Sequence, residues 1–165
     1  MEDMTFSQFI TAYNALIKED NSLYHALAKS FGLSDTAFWI LYILEETGQA
    51  VTQAELCAVL CLSKQTVNSA LKGLSDSGYI RLEEPQGKHR GKRLSLTDLG
   101  TQLIARTIRP VFRMEEQAYQ ALTAQERQAL LELNRRYLEL LRQAARPLLT
   151  QNSQEELVSN ANQAF

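Results

Sequence analysis

Apolar residues recur along this chain at helical spacing in several blocks. In the first, Phe6, Phe9, Ile10, Tyr13, Leu16, Ile17, Leu23, Tyr24 and Leu27 follow a period of three to four residues. Thr5 and Gln8 have capping-box spacing at its start. Asp20 interrupts the stripe, and Gly32 is expected to end the segment. A second helix is predicted from Ser34 through Phe38, Ile40, Leu41 and Leu44 to Gly48. Thr52 and Glu55 repeat the capping box and open a short helix to about Val59. Leu60-Cys61-Leu62 reads as a tight connection, after which Ser63 caps a helix to Ser77 that stops at Gly78. The period then changes. Ile80 and Leu82, and later Leu94 and Leu96, alternate with polar residues around a segment carrying Pro85, Gly87 and Gly91. That pattern predicts a two-stranded hairpin with a polar tip.

Helical spacing returns after Thr97 and Asp98, with Leu103, Ile104, Ile108, Val111, Phe112 and Ala118 on one side. Pro110 is expected to kink this helix without ending it, because the pattern continues beyond. Thr123 and Glu126 form a third capping box. The helix they open carries Leu130, Leu131, Leu133, Tyr137, Leu138, Leu140 and Leu141, and is expected to end near Arg146, before Pro147. A short helix capped by Ser153, with Glu156 three residues on, is read in the Gln- and Asn-rich tail.

Composition narrows the class. The chain has 165 residues, 45% hydrophobic and 22% charged, with only seven Gly and three Pro, which suits one mostly helical globular protein. The longest uncharged apolar runs, Ala37–Leu44 and Leu56–Leu62, are far short of the ~20 residues of a membrane span. The start Met1-Glu2-Asp3-Met4 is acidic and does not read as a secretory signal, and two Cys make no disulfide framework. A cytoplasmic protein with no membrane partner is expected. The net charge of −2 hides an asymmetry: Ser63–Arg113 holds ten Lys and Arg against four Asp and Glu, for +6, and the remainder carries −8. A basic centre between acidic flanks suggests one surface built for a polyanion.

The Ser63 helix shows where that surface lies. At 100° per residue from Val67, Leu71 and Leu74 fall within about 40° and Ala70 about 60° away, forming the buried side. Gln65, Asn68, Ser69 and Lys72 point outward, with Lys64 and Thr66 on the flanks. Gln and Asn amides offer the donor-acceptor pair that matches adenine in a major groove, and Lys neutralises phosphate or reaches guanine. The helix start at Ser63 presents free N–H groups to a phosphate. Taken alone, this is also what an ordinary solvated face looks like. The hairpin changes the weighting, because Lys88, His89, Arg90, Lys92 and Arg93 crowd into six positions, an arrangement that repels itself unless it meets an anion. An Arg at a hairpin tip suits the negative minor groove.

Two short helices, a tight turn, a capped second helix and a basic hairpin make a winged helix-turn-helix. Thr52-Gln53-Ala54-Glu55-Leu56, Ser63-Lys64-Gln65-Thr66-Val67, Leu74 with Gly78-Tyr79-Ile80, and Leu96-Thr97 with Gly100 occur in an order that resembles the multiple-antibiotic-resistance regulator (MarR) family of bacterial transcription factors. The resemblance implies a mostly α fold: a winged helix-turn-helix over 34–100 with a two-stranded β-wing, flanked by dimerisation helices in 1–33 and 101–165. It further implies a homodimer, with Leu133, Tyr137, Leu140 and Leu141 partly at its interface, reading a pseudo-palindromic operator in double-stranded DNA. It implies a repressor released by a small aromatic effector, for which Tyr13, Tyr24, His25, Trp39 and Tyr42 are the candidates. Where the family often carries Asp-x-Arg in the wing, this chain has Lys88-His89-Arg90, and the Arg common after the outward Ser of the reading helix is absent from Asn68-Ser69. Base preference therefore does not transfer.

No Gly-rich phosphate loop, catalytic dyad or nucleophile elbow is present, so neither an enzyme nor a cofactor is expected. Cys57 occupies a small apolar position and reads as inert core, whereas Cys61, in the turn, carries the alternative of a thiol-based redox sensor. No metal site is expected, since His25 and His89 are remote from both Cys. The other alternative is a winged helix turned to protein-protein interaction, with the basic wing meeting an acidic partner.

Overall fold

The computed structural model describes residues 4–83 and 93–162, with side chains to residue 150. Seven helices and three short strands are found among them: α1 (Phe6–Ser30), α2 (Asp35–Thr47), β1 (Val51–Thr52), α3 (Gln53–Leu60), α4 (Lys64–Asp76), β2 (Ile80–Glu83), β3 (Arg93–Leu96), α5 (Asp98–Arg106), α6 (Ile108–Ala121) and α7 (Ala124–Asn162). The chain divides into two compact units, Met1–Met114 and Glu115–Phe165.

The helix starts follow the capping chemistry. The Gln8 backbone N–H donates to Thr5 Oγ1 at 3.3 Å while the Thr5 backbone N–H donates to Gln8 Oε1 at 2.9 Å. The same reciprocal pair joins Thr52 to Glu55 and Thr123 to Glu126. Ser34 and Ser63 cap α2 and α4 through the amides of Ala37 and Thr66. Each cap satisfies a helix-end donor and contributes about 1 kcal/mol. Asp20 does not break α1, which is continuous to Ser30 because one exposed acid costs a helix little.

The prolines act differently from expectation. A proline lacks the N–H that would bond four residues back, and its ring crowds that carbonyl, here Arg106. The helix accordingly ends at Thr107, whose hydroxyl donates to Leu103 O at 2.8 Å, and restarts at Ile108. Pro110 thus falls in the first turn of α6, where no such donor is needed, so there are two helices in place of one kinked helix. Pro147 neither ends nor breaks α7, which runs through it to Asn162; Leu148 and Leu149 continue the pattern, and no separate helix starts at Ser153.

The sheet has three strands, in the order β1-β3-β2, not two. β2 and β3 pair antiparallel, with Ile80 opposite Leu96 and Leu82 opposite Leu94, as the hairpin pattern requires. β1 adds Val51 opposite Leu94 and Thr52 opposite Arg93. Two residues are too few to show alternation, which is why the sequence pattern missed this strand.

The core of the first unit gathers Phe38, Ile40, Leu41, Leu56, Val67, Leu94, Ile104, Ile108 and Val111, all fully buried and each contributing about 1.5–3 kcal/mol. α5 is locked to the wing by a close approach. A Cβ on Gly100 would stand 1.9 Å from the Tyr79 carbonyl oxygen, while Thr97 Oγ1 donates to Gly78 O at 2.6 Å. In the second unit, Arg127 lies 3.8 Å over the Tyr119 ring and donates to its carbonyl. No described helix is long and apolar enough to cross a membrane.

Candidate nucleic-acid interface

α4 divides cleanly by face. Val67, Leu71 and Leu74 are buried and Ala70 is half-buried, whereas Ser63, Lys64, Gln65, Thr66, Asn68, Ser69 and Lys72 are all exposed. The local reason is a strict apolar spacing on one side, with no large apolar residue on the other. Ser63 Oγ serves the cap at Thr66 N, 3.1 Å away, and also bonds Thr66 Oγ1 at 2.8 Å, so the Thr66 hydroxyl is tied to the helix start. The side chains of Lys64, Gln65, Asn68, Ser69 and Lys72 stand on the outer surface.

α4 forms a ridge between two hollows. One, of 840 Å³, lies toward α3 and β2 and is lined by Gln53, Cys57, Lys64, Asn68, Lys72 and Leu82 among others. The second, of 920 Å³, lies toward the α1–α2 corner and α5, with Gln65, Thr66 and Ser69 on its α4 side and Arg106 opposite. The predicted outward set therefore splits between the two flanks of one rod. Gln53, missed in the sequence reading, ties the starts of α3 and α4 together: its Nε2 donates to Lys64 O at 3.2 Å. Its place directly after a capping Thr was the available signal. Asp76 was missed too; it closes α4, is exposed and lines the first hollow.

Of the five wing residues, Lys88, His89, Arg90 and Lys92 lie outside the described residues. Arg93 is half-buried at the root of the wing, where its Nε donates to Ala50 O at 3.1 Å and its Nη2 to the same oxygen. That carbonyl precedes β1, so Arg93 braces the added strand. Arg81, Glu83 and Ser95 form a small network on the sheet: Arg81 Nε lies 3.0 Å from both Glu83 Oε1 and Ser95 Oγ, and Ser95 donates to Glu83 at 2.6 Å. The Ser95 bond first, and then that from Arg81, hold the Glu83 carboxyl below its ordinary range. Arg109 of α6, 2.6 Å from Glu45 of α2, has its guanidinium pKa raised by that bond.

The aromatic candidates fall into two sets. Tyr24, Trp39 and Tyr42 come together, with Tyr24 5.0 Å from Trp39, Trp39 5.2 Å from Tyr42, and Tyr42 stacked on Phe112 at 4.6 Å. Tyr13 stacks instead on Phe9 at 5.8 Å, and exposed His25 is held by Asp35 through Nδ1 at 2.9 Å. Cys57 is half-buried, packed against the edge of the core and lining the first hollow. Cys61 is exposed and adopts φ +53°, and both cysteines are free. Among the described residues, no three His, Cys, Asp or Glu are grouped to hold a metal ion.

Residues 31–91 match the family model of the MarR family. The fold is that of solved members. A MarR family regulator from Neisseria meningitidis superposes with a TM-score of 0.69 at 21% identity, over 82% of this chain and 94% of that one. A MarR family protein from Listeria monocytogenes, solved with a 26mer DNA, gives 0.63 at 22% identity, over 86% and 90%. The S. aureus MepR-DNA complex gives 0.63 at 18%, over 84% and 99%. The resemblance drawn from the motifs and the mostly α winged-helix fold are borne out. No curated protein matches.

Proposed function

We propose that this chain, similar in fold and winged segment to MarR family regulators, is a homodimeric transcription regulator that binds double-stranded DNA in a sequence-dependent way. The observation that carries the reading is α4: a capped rod that buries Val67, Leu71 and Leu74 in the core and whose outer side offers Gln65, Asn68, Ser69, Lys64 and Lys72 between two hollows. A major groove admits such a rod, and its two phosphate strands need room on either side. In two relatives of this fold, the structures contain DNA.

The homodimer rests on apolar surface that stays exposed among the described residues. Phe6, Leu16 and Ile17 on α1, and Leu130, Leu131, Leu133, Leu140 and Leu141 on α7, are all exposed. Exposed apolar surface on this scale marks an interaction site. Two-fold pairing would set two α4 helices about 34–36 Å apart, one turn of DNA. Repression, with release by a small aromatic effector stacking near Tyr24, Trp39 and Tyr42, completes the reading.

Fluorescence anisotropy on duplexes from the chain's own promoter tests it. Affinity should fall steeply with salt, by about 0.9 in logarithmic slope for each phosphate neutralised. Arg90→Ala or Lys92→Ala should weaken binding to every sequence. Affinity for duplex DNA that no salt or wing substitution changes would overturn the reading.

A further inference from the structure

Asp76 stands where two separate forces disfavour it. Counting 100° per residue, it lies about 180° from Val67, on the same outer side of α4 as Gln65, Ser69 and Lys72. It is exposed and lines the hollow beside Asn68 and Lys72, and its carboxylate makes no ion pair or hydrogen bond among the described residues. It is the last residue of a 13-residue helix whose final turn holds no basic residue, so its charge meets the negative end of the helix dipole. It also sits on the face that would approach a polyanion. A neutral residue would serve better for helix stability and for bulk attraction to DNA alike.

A group that weakens general attraction is how a binding surface rejects wrong partners. We propose that Asp76 is a specificity-determining residue of this interface: its carboxylate holds the C-terminal end of α4 away from the phosphate backbone. The helix then engages from the end that carries Ser63, Lys64 and Gln65, and duplexes that offer those residues no good base contacts are released. This inference rests on the duplex-DNA reading above.

The test compares wild type, Asp76→Asn, and Asp20→Asn on α1 as a control for net charge. Each is titrated onto a random-sequence duplex and onto a duplex that wild type has selected from a random pool, at about 50 and 200 mM salt. Asp76→Asn should bind the random duplex roughly three- to tenfold tighter at the lower salt, with a smaller gain at the higher salt, where charge is screened. Its preference for the selected duplex should fall, and Asp20→Asn should change neither value. A merely structural role would not produce a salt-dependent gain confined to one of the two charge substitutions. Binding by Asp76→Asn within twofold of wild type on both duplexes overturns the proposal alone, as does weaker binding to both. Failure of wild type to bind or select any duplex overturns the DNA reading and this inference together.

Discussion

α4 and α7 are both helices with a regular apolar stripe, yet they stand in opposite conditions. On α4 the stripe of Val67, Leu71 and Leu74 is at most 5% exposed. On α7 the leucines at 130, 133, 140 and 141 remain 45–65% exposed. The shorter helix has its apolar partner within its own chain, which frees its polar side to meet something else. The longer one keeps these leucines exposed among the described residues, and that side is the better place to expect a second copy. Amphipathicity alone does not distinguish the two cases; what faces the stripe does.

Substitution of the stripes should separate them. Leu71→Ala should lower unfolding free energy by about 2–5 kcal/mol, independent of protein concentration. Leu133→Glu with Leu140→Glu should leave the fold of the first unit intact and convert a dimer to monomers on light scattering. A double variant that stays dimeric, or that unfolds as Leu71→Ala does, would show that the two stripes do not differ in this way. Next in size is the polar side of α4: Gln65→Ala or Asn68→Ala should cost about 1–3 kcal/mol at one base position and flatten the preference there, with stability unchanged. Equal losses on all sequences would instead make these residues backbone contacts. Ser63→Ala removes the cap of α4 and should cost about 1 kcal/mol by denaturant unfolding.

The smallest effect concerns the wing root. Glu83 has its folded-state pKa lowered, so its contribution is present above the ordinary carboxylate range and is lost as pH falls through the depressed value. Wild type should therefore lose stability more steeply than Glu83→Gln on acidification below that range. Identical acid profiles would show that the Ser95 and Arg81 bonds matter little there.

Much of this was legible because the signals are local. Thr5, Ser34, Thr52, Ser63 and Thr123 are followed at the right distance by the amides and carboxyls they bond, so helix starts could be read directly. The faces of α4 followed from spacing. The rest depends on residues far apart in the chain. β1 exists only because Val51 and Thr52 meet Leu94 and Arg93. Gly100 is part of the motif, but its reason, the Tyr79 carbonyl, lies 21 residues away. Pro110 and Pro147 have the same local chemistry and opposite outcomes: α5 stops ahead of one, and α7 passes through the other. Arg93 belongs with the wing cations by its neighbours in sequence, and only strand pairing sets its guanidinium against Ala50. Tyr13 and His25 share a segment with Tyr24, yet Tyr13 stacks on Phe9 and His25 bonds Asp35.

In the proposed dimer, two copies of the α4 face, with the wing beside each, read duplex DNA together. Selection of bound fragments from a random duplex pool, followed by footprinting of the enriched site, decides whether they do. The enriched site should be an inverted repeat whose half-sites are centred about one helical turn, 10–10.5 base pairs, apart, protected symmetrically. No enrichment over the starting pool, or a protected site without two-fold symmetry, would contradict that reading.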